Sequence, residues 1–230
     1  MSRVRAVLLD LYDTLAWTEW PTMRAELEGR FGLGEAALLR AFTTTREARS
    51  TGAFGSAEGD LAAILEAAGV PSEPELVHEL NEARVKAFAD NGVHLWNDSI
   101  PTMRELRARG LRTAIVSNCD HATRPIVDDL GLEHEADAIV LSFEVGVAKP
   151  DPGIYRAALE AVGAGPEEAV FVDDQAWYCE GAEALGIRSF LIRRDDADPA
   201  EGFGAAGDRD VLHDLRSLLD LVSSGAPEAS

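Results

Sequence analysis

Lysine is almost missing from this chain: of 21 basic residues only Lys86 and Lys149 are lysine, and the rest are arginine. A lysine kept against that background is a candidate for a point-charge role that arginine does not fill. Cysteine is equally scarce. Cys119 and Cys179 make neither a disulfide framework nor a zinc-binding spacing. The five histidines are scattered singly, which argues against a histidine metal cluster. Positive charge is in short supply overall: 41 acidic residues against 21 basic ones leave a net charge of −20. Such a surface repels phosphate backbones and anionic lipid, so neither nucleic acid nor membrane is expected as a partner. No apolar run approaches the roughly 20 residues of a membrane span. The opening MSRVRAVLLDLYD sets charge before apolar residues, but its run is short and ends in Asp with no small-residue cleavage site, unlike a signal peptide. The expectation is a cytoplasmic protein, a monomer or homodimer.

What the chain does have is apolar material: 46% of its 230 residues, enough for a sizeable core. Residues 4–10 form an apolar run closed by Asp, as expected of a parallel strand buried on both faces. Residues 112–118, 136–143, 167–174 and 188–194 repeat that form. Helical patterns at 100–110, 151–163 and 176–186, each ending in Gly, lie between them. Strands alternating with helices predict an α/β fold with a doubly wound parallel sheet. Residues 16–92 break the alternation with consecutive helical patterns and no convincing strand. The expected organisation is therefore a core of 1–15 and 93–230 with an all-helical insertion at 16–92, hinged at 15–17 and 91–94. Residues 195–210 read as loop and 211–222 as a final amphipathic helix.

Ligands of open parallel sheets bind outside the carboxyl ends of the strands. Those ends carry Asp10, then Ser117 and Asn118, then Asp173 and Asp174, with Lys149 in a loop at the same edge. Singly each is ordinary: a strand-ending turn acid, turn residues, a helix N-cap, a loop lysine. Together they bring three carboxylates and one ammonium to one crevice. Like charges raise one another's pKa, and a divalent cation such as Mg²⁺, which favours oxygen ligands, balances the set. One carboxylate then remains to act as a nucleophile towards phosphorus.

DLYDTL, IVSN, the Lys of GVAKPDP and VFVDDQ resemble, in order, the four motifs of the haloacid dehalogenase-like (HAD) hydrolase superfamily. The helical insertion resembles its C1 cap, so the resemblance covers nearly the whole chain. It implies a Rossmann-like core with Asp10 as nucleophile. Ser117, with the backbone of Asn118, would bind the transferred phosphoryl group, and Lys149 would orient the nucleophile. Mg²⁺ would be held by Asp10, Asp174 supported by Asp173, and the carbonyl of Tyr12. Trp17, Trp20 and Arg24, just past the first hinge, are candidates to touch substrate. Arg46 and Arg49 are within reach of a substrate anion, but a solvated helix face is the favoured reading.

The first motif departs from the phosphatase pattern. Where most phosphatases of the superfamily have a second Asp, which protonates the leaving oxygen and activates water, this chain has Tyr12. Asp13 comes one step later, where the family more often has Gly, and one step sends a side chain elsewhere. Tyr at that place is similar to the L-2-haloacid dehalogenases, whose Asp attacks carbon without metal. Asp173-Asp174 is the metal-holding form of the fourth motif. The expectation is an Mg²⁺-dependent phosphatase or phosphotransferase acting on a small phosphorylated metabolite through an aspartyl-phosphate. Haloacid dehalogenation is the alternative, and a catalytically weak binding or scaffold protein the third reading. Tyr12 is the nearest candidate for a weak acid.

Overall fold

The computed structural model describes residues 3–19, 28–29, 32, 34–87, 92–194 and 210–223. Its centre is β1 (Ala6–Leu9), four residues buried on both faces. Such a strand reads as a continuous apolar run because neither face meets water. It pairs in parallel with β4 (Arg112–Ser117) on one side and β6 (Ala169–Asp173) on the other. β5 (Ala138–Leu141), β7 (Arg188–Ile192) and β8 (Val211–Leu212) complete a six-stranded sheet of order β5-β4-β1-β6-β7-β8. All these pairings are parallel. The chain runs outward from β1 through β4 to β5 and then returns to the other side of β1 at β6. The crevice at this reversal is where the carboxyl ends of β1, β4 and β6 meet.

Helices cover both faces, as the sheet's two apolar sides require. On one face Met103 and Leu106 of α4 (Ser99–Ala108), Ile126 and Val127 of α5 (Thr123–Asp129) and Leu218 of α9 (Leu218–Ser223) pack on Val7, Leu9 and Ile115. On the other, α7 (Pro152–Val162) and α8 (Ala176–Glu183) pack Ile154, Tyr155, Cys179 and Ala182 on Leu8, Val116 and Phe171. Gly181 lets α8 approach closely. A Cβ there would lie 2.8 Å from the Pro150 ring and 2.9 Å from the Tyr155 hydroxyl. The loop that carries Lys149 is thereby seated directly on α8.

Between β1 and β4 lie α1 (Glu35–Ser50), α2 (Ala57–Ala67) and α3 (Pro74–Ala87). They share a separate small core of Leu38, Leu61, Leu65, Val77 and Leu80. The insertion is not wholly helical. At its junctions β2 (Ala16–Thr18) pairs antiparallel with β3 (Val93–Leu95), with Trp17 opposite His94. Three-residue strands are too short for periodicity to reveal, and their partner lies across the whole insertion.

The C-terminal reading also needs correction. Val211 and Leu212 form an edge strand on β7 rather than the start of a helix. The helix begins only at Leu218, because Asp214 accepts the backbone N–H and hydroxyl of Ser217, at 2.9 and 3.1 Å, in a local turn. Such side-chain bonds compete with helix formation.

Candidate active site

Asp10 follows β1, and its N–H still bonds the Val172 carbonyl at 2.9 Å, so the backbone that carries it is fixed by the sheet. Its side chain is only 6% exposed. Lys149 Nζ lies 2.6 Å from Asp10 Oδ1 and 2.6 Å from Asp173 Oδ2. Its ammonium also sits over the rings of Phe171 and Tyr178, 5.5 and 5.0 Å from their centroids. Burial works against the lysine's charge, but the two carboxylates overcome it and hold its pKa above the ordinary lysine range. Asp10, Asp173 and Asp174 offer oxygens that all lie within 4.8 Å of one another. One ammonium does not balance three carboxylates. The excess shows in the acids themselves. Burial, with Asp10 nearby, raises Asp173 to about 7 even against Lys149. Burial together with Asp10, Asp173 and Asp13 raises Asp174 to about 9. An all-oxygen cluster with surplus negative charge fits a hard divalent cation such as Mg²⁺.

The other two strand ends complete the floor. Ser117 ends β4, beside β1, and its hydroxyl is buried without a hydrogen-bond partner. A buried, unanswered hydroxyl costs about 1–3 kcal/mol; this one is fully buried and does not line the cavity over Asp10. Asn118 does something the sequence reading missed. Its side-chain amide donates to the Lys149 carbonyl at 2.8 Å and accepts the Lys149 N–H at 2.7 Å. The lysine is therefore held by its backbone as well as by its charge. Gln175 is a second omission. Its N–H bonds Asp173 at 2.7 Å, and its side chain donates to Asp174 at 2.5 Å. Arg193 donates to the Asp174 carbonyl. Residues beside a visible motif carry no sequence signal for such roles, which only the turn geometry creates.

Tyr12 is part-buried, and its hydroxyl pairs with Thr123 Oγ1 at 3.1 Å. Burial raises its pKa above the ordinary tyrosine value. It is therefore a poorer acid than free tyrosine, which corrects its candidacy as proton donor. Asp13 adopts φ +61. This left-handed conformation favours Gly and is tolerated by Asp, so the place the family gives to Gly is a backbone requirement here. Cys119 is buried, and burial, reinforced by Asp120, pushes its thiol up to about 12, which leaves it inert.

Above this floor is a cavity of about 680 Å³. Asp10, Asp174 and Lys149 line its base, Tyr12, Trp177 and Tyr178 its aromatic side, and Thr43, Arg46, Glu47 and Ser50 of α1 its roof. Trp17 is not among the lining residues. It stacks with His94 and Trp96, centroids 4.6 and 6.1 Å away, in the junction ribbon. Trp20 and Arg24 lie outside the described residues. Arg49 corrects the solvated-face reading: it is 8% exposed and bonds Asp120, Thr45 and the Phe42 carbonyl. Arg84 of α3 reaches both Asp120 oxygens at 3.0 Å. Asp60 of α2 accepts the His121 N–H at 3.1 Å and meets its ring at 2.8 Å. All three inserted helices thus grip Asp120 and His121, the residues just past Ser117 and Asn118.

A fold of this topology with Asp10, Ser117, Lys149 and Asp174 at its strand ends defines a hydrolase core of the HAD type. A family model described as haloacid dehalogenase-like hydrolase matches residues 4–186, and the chain belongs to that family. Haloacid dehalogenase-like hydrolase domain-containing protein 3 of Mus musculus is 34% identical over 131 residues, 55% of this chain and 52% of that protein. The match thus spans only about half the length of that relative. The glyceraldehyde 3-phosphate phosphatase of Methanopyrus kandleri is 30% identical over 95% of this chain and 97% of its own. Among solved structures, a 2-haloacid dehalogenase from Pseudomonas syringae superposes with a TM-score of 0.70 at 22% identity, covering 97% of this chain and 100% of that one. No helix among the described residues is long and apolar enough to cross a membrane.

Proposed function

We propose that this hydrolase is an Mg²⁺-dependent phosphatase or phosphotransferase for a small phosphorylated metabolite, with residues 16–92 serving as a cap over the core of 1–15 and 93–230. The observation that carries this reading is the charge excess at the strand ends: three carboxylates with mutual oxygens within 4.8 Å and one ammonium among them. A metal-free dehalogenase gains nothing from an added carboxylate beside its nucleophile. The long match to a phosphatase supports the same choice.

Asp10 is the nucleophile. One of its oxygens forms a bond to phosphorus while the bond from phosphorus to the leaving oxygen breaks, giving an aspartyl-phosphate that water then hydrolyses. Lys149 keeps Asp10 aimed through the 2.6 Å contact, and its fixed charge is in place before substrate arrives. The Ser117 hydroxyl, with the Asn118 N–H, receives an oxygen of the transferred group. Asp10, Asp174 and the Tyr12 carbonyl would hold Mg²⁺, with Asp173 in support. When bound, the ion neutralises phosphoryl charge and acts as a Lewis acid. The leaving oxygen needs a proton, and neither Tyr12, with its raised pKa, nor Lys149, clasped by two carboxylates, is suited to give it. Lost general acid help costs typically 10²–10⁴-fold, so acyl phosphates and sugar 1-phosphates turn over much faster than simple alkyl phosphates.

The test is phosphate release from such a panel with Mg²⁺ and with chelator, beside Asp10→Asn. Loss of release in chelator and in the variant is the expected result; undiminished release by Asp10→Asn would sink the assignment. Tyr12 itself favours a second reading, attack of Asp10 on a halogen-bearing carbon. Halide release from 2-chloropropionate in chelator is its signature, and its absence removes that option.

A further inference from the structure

The helix that roofs the cavity turns one face to it. Thr43, Arg46, Glu47 and Ser50 all line the space above Asp10, and a spacing of i, i+3, i+4 and i+7 is that of a single helical face. The neighbouring face is buried through Leu38, Ala41, Thr45 and Arg49. Leu38 packs in the core of the inserted helices, and Arg49 is tied to Asp120. The rotation of α1 about its own axis is therefore fixed, and with it the direction in which the four cavity residues point. Of those four only Glu47 carries a carboxylate. No other described residue forms a hydrogen bond or ion pair with that carboxylate, which leaves it open to water in the cavity.

The second half of the reaction needs a base in this position. At phosphorus the attacking and leaving oxygens are in line. Water that opens an aspartyl-phosphate enters opposite the Asp10 oxygen, on the side from which the leaving group departed. Asp10 lies at the base of the cavity, so that side is the roof. The other titratable groups lining the cavity are engaged at the floor. Asp10 itself carries the phosphoryl group at this stage. Lys149 is an ammonium between two carboxylates. Asp174 is held by Gln175 within the acidic cluster. The Tyr12 hydroxyl pairs with Thr123, and Asp13 acts on Asp174 from the turn after β1.

We propose that Glu47 is the general base that activates water against the aspartyl-phosphate. This rests on the transfer of a phosphoryl group to Asp10. The Glu47 carboxylate takes a proton from water as the water oxygen bonds to phosphorus. The bond from phosphorus to the Asp10 oxygen breaks, its electron pair restores the Asp10 carboxylate, and phosphate is released. Glu47 is exposed, so the proton it gains passes on to solvent. The first half still lacks a general acid, and the demand for a good leaving group stands. The inserted helices then bring a catalytic group as well as a roof, and their attachment at Asp120 sets where that group sits.

Rapid mixing with p-nitrophenyl phosphate and Mg²⁺ separates the two halves, because nitrophenolate leaves in the first and phosphate in the second. Glu47→Gln should release about one equivalent of nitrophenolate per protein as a burst, the mark of a covalent intermediate that accumulates. Its steady state should then be slower than wild type by roughly 10²-fold or more, with the phosphoryl group recovered as a mass gain on the Asp10 peptide. Glu47→Gln without a burst, or with a wild-type steady state, overturns the role of Glu47 and leaves the phosphatase reading standing. A burst and slow steady state in Asp13→Asn but not in Glu47→Gln overturns it too, in favour of the other carboxylate of the cavity. No nitrophenolate from the wild type removes the phosphatase reading and the role of Glu47 with it.

Discussion

Two charged clusters lie on either side of Tyr12, and they are built in opposite ways. Around Asp10 three carboxylates share one ammonium. Around Asp120 two guanidiniums meet one carboxylate, and the buried carboxylate of Asp60 also acts on Arg49. Both are buried, so neither is screened by water. The first carries an excess of carboxylate that suits a cation, while the second ties guanidiniums to carboxylate between the inserted helices and the core. The two clusters also come from different parts of the chain. The first is assembled by the strand ends of the sheet. The second, with the Asp60–His121 pair, joins three inserted helices to the turn after β4, so that seating of the helices and the shape of that turn are one event.

The largest effect expected is on the basic cluster. Asp120→Asn leaves two buried guanidiniums facing a neutral amide and should destabilise the protein by about 3–5 kcal/mol, read as a lower urea midpoint. A loss below about 1 kcal/mol, the scale of a surface pair, would mean that the contact does not bind the helices to the core. The acidic cluster is broken by Lys149→Met. With Asp10 no longer aimed or balanced, kcat/KM for an acyl phosphate should fall by roughly 10²–10³-fold. Unchanged turnover would remove Lys149 from the mechanism.

A finer contrast lies in pH dependence. Burial disfavours the Asp120 charge, but Arg84 and Arg49 outweigh it and hold the acid below the usual carboxylate range. Its contribution is present above the unfolded value of about 4 and is lost as pH falls. Asp173 and Asp174 are displaced the other way, to about 7 and about 9. Between about 4 and those values the folded metal-free protein holds protons that the unfolded chain has released, so stability falls as pH rises. The metal-free melting temperature should therefore decline from about pH 5 to pH 9. Asp174→Asn should flatten part of that decline, and Mg²⁺ should flatten it further by binding the native state alone. A decline identical in Asp174→Asn would place its origin elsewhere.

The two clusters were not equally legible in the sequence. Asp10, Ser117 and Asp174 could be found because each closes a buried apolar run, and the periodicity of strands marks where such runs end; Lys149 stood out because lysine is so scarce. Arg49 could not. Its burial is made by Asp120, 71 residues away, and a helix of low amphipathic contrast gives no sign of which arginine turns inward. The β2–β3 ribbon and β8 failed for the related reason that two or three residues carry no period. Asn118 was seen for its place in a motif, while its side-chain bond to Lys149 depends on a loop that periodicity does not describe.

The 2.6 Å contact between Lys149 and one oxygen of Asp10 makes the two oxygens of that carboxylate chemically distinct. The ammonium clasps Oδ1 and is shared with Asp173, which leaves the other oxygen to face the reacting centre. Heavy-oxygen water can read this. Hydrolysis at phosphorus delivers the label to released phosphate and leaves Asp10 light, whereas hydrolysis of an ester on carbon writes the label into Asp10 itself. The mass of a single peptide after one turnover therefore records which bond the water broke.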